Sequence, residues 1–447
     1  MSLIVFEDEL WQRFATLVQA RPVFELRIGG YTVRERIEAT VRSLRRDETA
    51  AMGMARPHLM KCFGPSAGLT AFLQAGEPVI LINGRALDLA WLPRLLDEPL
   101  NTIYLAGDTL LAAYLSPALA SAVLYFVQSQ HTSDARDELL RFARVHDLGP
   151  DKPPLLLGFP WDLINQSGEQ LVRDLPLLAQ RLPLLTTEMP NVVVRGERVY
   201  VDPRARLDGP LVLDARDGPI FIEAEAHIEP FSFLQGPTYI GRGSLISSAR
   251  IRGETAIGPV CRIGGEVEAS IIQGYSNKHH DGFLGHSWLG EWVNIGAMTT
   301  NSDLKNNYGN IRVNLEDLGP FDSGVIKLGM FLADHVKLGI GLLLNGGTMI
   351  GTGSNVFGSQ NIPKNIPHFT WGGDTLREYR IDGMISVTRT VMGRRKRELT
   401  SDYEALLRAA FELTRASRGA VAQAPVSRRE YASPRALAQA EHDAIAG

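Results

Sequence analysis

The sequence predicts three parts in series: an α/β domain with a largely parallel sheet over residues 1–195, a parallel β-helix over 196–372, and a helical segment with a flexible tail over 373–447. Two observations predict this. Up to about residue 195, short apolar runs such as LIVF (3–6), PVILI (78–82) and TIYLA (102–106) alternate with helical stretches such as TVRERIEATVRSLRR, the pattern of strand–helix–strand units. After Val201, Gly and Pro become frequent and single aliphatic residues recur in a fixed register.

The chain has 447 residues, a length that favours two or three domains, each able to bury a sizeable core. With 45% hydrophobic and 21% charged residues it has the balance of a soluble globular protein. A formal net charge of -4 gives no reason to expect nucleic acid as a partner. Cys62 and Cys261 stand far apart, so neither a disulfide framework nor a zinc knuckle is supported, and a reducing, cytoplasmic setting is expected. The start MSLIVFEDELWQRF is acidic where a signal peptide is basic. The stretch IYLAGDTLLAAYLSPALASAVLYFV (103–127) is long enough to cross a bilayer. Asp108, Ser116 and Pro117 interrupt it, so a buried strand followed by helices is expected and no membrane partner.

In the second part Ile222, Ile228, Leu234, Ile240 and Ile246 are each six apart, and Ile251, Ile257 and Ile263 continue after one shorter step. Leu284, Leu289 and Ile295 resume the series, and Leu332, Leu338, Leu344, Ile350, Val356 and Ile362 complete it. A period of six fits neither an α-helix nor a hairpin protein. It fits a coil with three flat faces, each sending one aliphatic side chain to the axis, with glycines such as Gly241 and Gly258 at tight corners. Between Ala297 and Phe331 the register is lost, which predicts a loop that leaves the coil and returns. From 392 to 417, MGRRKRELTSDYEALLRAAFELTRAS has helical spacing; its RRKR run reads as a solvated helix start or a contact to an anionic ligand.

The combination of an α/β domain, hexapeptide repeats, an H-x-x-aromatic-L-G element and then V-N-I-G-A resembles the bifunctional N-acetylglucosamine-1-phosphate uridylyltransferase/glucosamine-1-phosphate acetyltransferase family. SNKHHDGFLGHSWLGEWVNIGA and TTNSDLKNNYG are most similar to its sugar nucleotidyltransferase branch. The likeness covers about 220–365 well and the first 195 residues in outline. It implies a left-handed β-helix, a homotrimer, and acetyl-CoA or another acyl-CoA bound between neighbouring coils. It further implies His280 as general base, Asn294 as a substrate or oxyanion contact, and substrate contacts from Arg252, Lys278 and Phe283, the last standing where the family usually has tyrosine. A family lysine for sugar-phosphate binding falls near Ser270, a departure from the amino-sugar pattern.

Acyl transfer from a thioester needs an amine or hydroxyl that loses its proton as it attacks, and imidazole accepts a proton at neutral pH. Lys305, Asn307 and Tyr308, in the loop NSDLKNNYGNIRV, are candidate contacts for sugar hydroxyls and phosphate; the alternative is a turn satisfied by its own Asn side chains. His335 and Lys337 are candidate contacts to coenzyme phosphates, with a plain exposed face as the alternative. A metal site drawing on His279, His280, Asp281 and His286 is a further reading.

The first domain departs from the same family. Its first strand runs into EDEL rather than a glycine-rich phosphate loop, and three acidic residues repel phosphate. Arg85 stands where the family's magnesium-binding aspartate falls, leaving Asp108 as the best remaining carboxylate for Mg2+. Arg21 is a possible phosphate contact. The functional expectation is CoA-dependent acyl transfer to a sugar phosphate or nucleotide sugar. The alternatives are a sugar-1-phosphate nucleotidyltransferase whose coil only trimerises, and a non-catalytic nucleotide-sugar sensor or scaffold.

Overall fold

The computed structural model describes residues 1–419 apart from 47–49, 66–67, 69–75, 150–154, 359–361 and 374. The expected tail lies outside these residues from 420 onward. Among the described residues no helix is long and apolar enough to cross a membrane.

The first part is an open six-stranded sheet in the order Ala51–Met54, Ser2–Phe6, Val79–Asn83, Thr109–Leu115, Thr102–Ala106, Arg144–Asp147. Every neighbouring pair is parallel except those made by Thr109–Leu115. The segment 103–127 is thus a hairpin followed by the helix Pro117–Gln128, not a single strand followed by helices. Gly107, at φ 57, lets the chain reverse there. The sheet is buried on both faces. One side holds Leu3, Val5, Ile80 and Ile82; the other holds Ile4, Phe6, Val79 and Leu81.

The second part is a parallel β-solenoid whose strands stack coil upon coil. One face is a nine-stranded sheet in which Val201, Ile222, Ile240, Ile257, Ile272, Leu289, Leu332, Ile350 and Ile366 pair in line. The second face carries Leu207, Ile228, Ile246 and Ile263, then Ile295, Leu338 and Val356. The third carries Leu213, Leu234, Ile251, Val267 and Leu284. All these aliphatic side chains except Val201 belong to one buried cluster, and each Ile or Leu contributes about 1.5–3 kcal/mol by leaving water.

Two polar residues complete the register. Lys278 pairs with Ile263 on the second face, and Asn301 pairs with Leu344 on the third. Both are almost fully buried, at 2% and 3% exposure. The spacing of six therefore runs unbroken through Ile272, Lys278 and Leu284, and again through Leu289, Ile295 and Asn301. An aliphatic-only reading of the period passes over both positions.

The outer side of the nine-stranded face packs on the first domain. Trp288, Phe331, Ile271 and Met349 share a core with Phe24, Leu26 and Ile28. Gln273 receives the Arg27 N–H at 2.8 Å and donates to the Glu25 carbonyl at 2.7 Å. Arg21 makes a two-pronged pair with Asp334, both contacts 2.8 Å. Arg21 is thus a clamp between the domains, not a phosphate contact. The C-terminal helical segment consists of two helices, Ile381–Arg394 and Ser401–Leu413, with most of the RRKR run in the link between them. Both return to the same core through Met384, Leu407 and Phe411.

Candidate functional site

The strand Phe283–Gly285 on the third face separates two corners of the coil, and the predicted site residues divide between them. His280 lies at the corner shared by the second and third faces. His286 lies at the corner between the third face and the face covered by the first domain.

At the first corner His280 is exposed, and its ring meets that of His279 edge-on at 5.4 Å. Asn294 stands one coil along on the second face, where its side-chain oxygen accepts from Asn277 Nδ2 at 3.0 Å. Lys278 does not face a substrate. Its ammonium sits inside the coil, donating to the carbonyls of Gly264 at 2.8 Å and His280 at 2.7 Å. Burial lowers its pKa to about 8 against the opposing pull of Asp281. The inward register of the coil is the reason: side chains alternate along the strand, and Lys278 occupies the inward position.

His335 and Lys337 are likewise turned to internal contacts. His335 is 3% exposed, its Nε2 lies 2.9 Å from the Tyr403 hydroxyl, and its ring is nearly parallel to that of Trp292. Lys337 donates to the Trp292 carbonyl, and burial brings its pKa down to about 7. The C-terminal helix Ser401–Leu413 covers this corner, so neither residue presents a free charge to a coenzyme phosphate.

The second corner is where the chain leaves the coil for residues 302–328. Asn301 makes the exit possible. Its side chain accepts from the Gly285 N–H at 3.1 Å and donates to the Gly285 carbonyl at 3.0 Å, occupying both backbone groups of that residue. The excursion forms an antiparallel hairpin, Arg312–Leu315 with Gly319–Asp322, that packs on the first domain through Phe321 and Phe159. Lys305 donates to the Asn310 carbonyl and Asn307 Oδ1 accepts from the Gly309 N–H, so the tip is a turn closed on its own polar groups. Tyr308 projects to solvent, 67% exposed.

At the base of this excursion His286 Nδ1 lies 2.7 Å from Asp303 Oδ2. Burial would raise the Asp303 pKa, but the hydrogen bond with His286 holds it below the usual range. A Cβ on Gly285 would stand 2.4 Å from the Phe283 ring and 2.6 Å from the Asp303 carboxylate, so glycine is needed for the ring to lie against the pair. Arg252 and Lys327 both approach Glu268, at 3.5 and 3.6 Å, and the Glu268 carbonyl accepts the His286 N–H at 3.0 Å. Arg252 and Phe283 lie on the third face, which runs from the His280 corner to the His286 corner, and Asn294 lies on the second face. No spacing in the sequence links His286 to Asp303, seventeen positions on. The coil's own rise brings them together.

The sheet of the first domain is closed where open α/β sheets bind ligands, at the carboxyl ends of the strands. Glu7 pairs with Arg56 at 2.9 Å and Asp8 with Arg85 at 2.6 Å, all four buried. Asp108 lies in the exposed hairpin turn, 3.5 Å from Arg136. Among the described residues no group of three or more His, Cys, Asp or Glu side chains could hold a metal ion. This applies to Asp108 and to the histidines of 279–286 alike.

Residues 3–182 match the sugar nucleotidyl transferase family. Among curated proteins the chain is 33% identical over 191 residues to the bifunctional protein GlmU of Acidithiobacillus ferrooxidans, covering 42% of this chain and 36% of that one. It is 24% identical over 235 residues to GlmU of Methanococcus vannielii, covering 52% and 50%. It is 31% identical over 152 residues to a bifunctional sugar-1-phosphate nucleotidylyltransferase/acetyltransferase of Sulfurisphaera tokodaii, covering 33% and 38%. The chain thus spans half or less of the length of these relatives. Among solved structures, an N-acyltransferase of Bacillus cereus aligns with 45% of this chain and 91% of its own at 13% identity and a TM-score of 0.20.

Proposed function

We propose that the solenoid transfers an acyl group from acyl-CoA, acetyl-CoA being the simplest donor, to an amine or hydroxyl of a sugar phosphate or nucleotide sugar. The observation that carries this reading is the coil segment 277–303. It combines imidazoles at two corners, an aromatic ring beside one of them and nearby cations on an accessible face. The name of the Sulfurisphaera tokodaii relative, which pairs sugar-1-phosphate nucleotidylyl transfer with acetyl transfer, supports it. The attacking group gives its proton to an imidazole as the carbon–nitrogen or carbon–oxygen bond forms, and the carbon–sulfur bond breaks to release the thiol. Backbone N–H groups at the coil corners can hold the oxyanion.

The nucleotidyltransferase reading is the weaker one for this chain, because the Glu7–Arg56 and Asp8–Arg85 pairs occupy the strand ends where phosphates would lie. We place the protein in the cytoplasm as a homotrimer. Support for association comes from apolar side chains exposed along the first corner and the third face, Met298 at 64%, Ile340 at 76% and Leu343 at 73%.

The test is one set of assays on the full chain. Acetyl-CoA with amino-sugar phosphates is followed by free thiol, and nucleoside triphosphate with sugar 1-phosphates by pyrophosphate. Acceptor-dependent thiol release is the expected result. Pyrophosphate without thiol would replace this reading with the nucleotidyltransferase, and saturable nucleotide-sugar binding without either product would replace it with the sensor.

A further inference from the structure

We infer that the cleft between the helix Val33–Arg45 of the first domain and the early coils is a binding site for a phosphorylated small molecule, whose phosphate groups sit among Arg46, Arg181 and Arg242. The site lies outside the segment 277–303, and the inference stands whether or not the coil transfers acyl groups.

The cleft has a volume of about 850 Å3 and runs along the seam, with the helix on one side and the coil residues Glu223, Tyr239 and Arg242 on the other. Among the described residues five arginines and three glutamates line it, so cations are in excess. The glutamates are committed to donors in the walls. Glu35 accepts the Thr32 N–H at 2.7 Å, Glu38 the Ala51 N–H at 2.9 Å, and Glu223 the Tyr239 hydroxyl at 3.0 Å. Arg27, 5% exposed, is likewise spent in the floor, on the Gly30 carbonyl at 2.8 Å and on Glu35 at 3.4 Å.

Three further arginines reach the cleft from three separate elements. Arg46 follows the helix at φ 58, and its exposed side chain meets no partner among the described residues. Arg181 donates from Nε to the Tyr31 hydroxyl at 3.2 Å, pairs through Nη1 with Glu223, and lies 5.3 Å over the Tyr31 ring. Its plane is thereby fixed, while Nη2 has no partner among the described residues. Arg242, half-exposed on the coil, contacts Glu225 at 3.1 Å. A cation at a helix C-terminus offsets the dipole, which accounts for Arg46 but not for Arg181 or Arg242. Guanidinium forks match phosphate oxygens in pairs, and the volume leaves room for a sugar or nucleoside beside Tyr31 and Tyr239. The site is also separate from the strand carboxyl ends. Glu38 bonds the first residue of Ala51–Met54 and Arg45 reaches Met1 Sδ at 3.0 Å, so the end of the cleft at Arg46 lies by the amino ends of the strands.

The experiment titrates the full chain with pyrophosphate, glucose 1-phosphate and UDP by calorimetry at low salt, with succinate as a dianion that carries no phosphate. Wild type, Arg46→Glu, Arg242→Glu and His280→Ala are compared, with folding checked by melts without ligand. Saturable binding of at least one phosphorylated probe is expected, and which one binds tells whether a bare diphosphate, a sugar or a nucleoside is recognised. His280→Ala should bind it as wild type does, and Arg46→Glu and Arg242→Glu should each bind about tenfold or more weakly. Because the ligand touches both domains, it should raise the melting temperature of wild type and do so less in the two charge reversals. No saturable binding of any phosphorylated probe at millimolar concentration overturns the inference. So does binding that survives both charge reversals, or is lost in His280→Ala, which places the ligand elsewhere. Succinate binding as tightly as the phosphorylated probe overturns the assignment to phosphate.

Discussion

Replacing Lys278 with methionine exchanges the buried ammonium for an uncharged side chain of similar length in the same inward position of the coil. The wild-type amine has a pKa of about 8 in the folded protein, against 10.5 for the free side chain. Unfolding between these values takes up a proton, so wild-type stability rises with pH across that window. At about 1.4 kcal/mol per unit, the full effect is about 3 kcal/mol, of which about 2 kcal/mol develops between pH 7 and 9.5. Other titrating groups contribute to both proteins and cancel in the difference. Urea unfolding of wild type and Lys278→Met at pH 7, 8, 9 and 9.5 should show the wild type gaining about 2 kcal/mol on the variant over this range. A difference that stays flat with pH, or that moves the other way, would show that the ammonium is hydrated and that the inward placement is wrong.

Asp334→Ala strands the Arg21 guanidinium between the coil and the first domain, with only Glu291 left as a partner at 3.2 Å. A loss of about 3–5 kcal/mol is expected in urea unfolding, against less than 1 kcal/mol for the exposed Arg389→Ala. Gly285→Ala drives a methyl group into the Phe283 ring and the Asp303 carboxylate. It should lower the melting temperature by several degrees, on the order of 1–3 kcal/mol of overpacking, and thiol release should fall with it; unchanged melting would refute the close packing there.

The coil was the more legible part because its geometry is strictly periodic. Each face needs one inward side chain, so Ile240, Ile257 and Leu338 announce their role by spacing alone. Lys278 and Asn301 obey the same spacing, but a search for aliphatic residues treats them as interruptions. Only the hydrogen bonds to Gly264, His280 and Gly285 show why the coil interior accepts them. The first domain's parallel strands were readable from apolar runs. The antiparallel Thr109–Leu115 was not, because a buried strand has the same composition in either direction. The candidate site was least legible. The family likeness points to His280, Arg252 and Phe283, and the coil sets Phe283 on the strand that follows the His280 corner. His286 and Asp303 are joined by a stacking step that no local motif encodes.

The solenoid is a three-sided prism with one side occupied by the first domain and its flanking edges taken by the C-terminal helices and the excursion. If copies associate through the exposed Met298 and Ile340, as proposed, the rotational axis would run past the opposite edge, where they project. Such an axis would set the first domains outermost, like flanges. It would also leave His286 and Asp303 displaced from the axis by the width of a full side, so that each copy would carry its own complete pair.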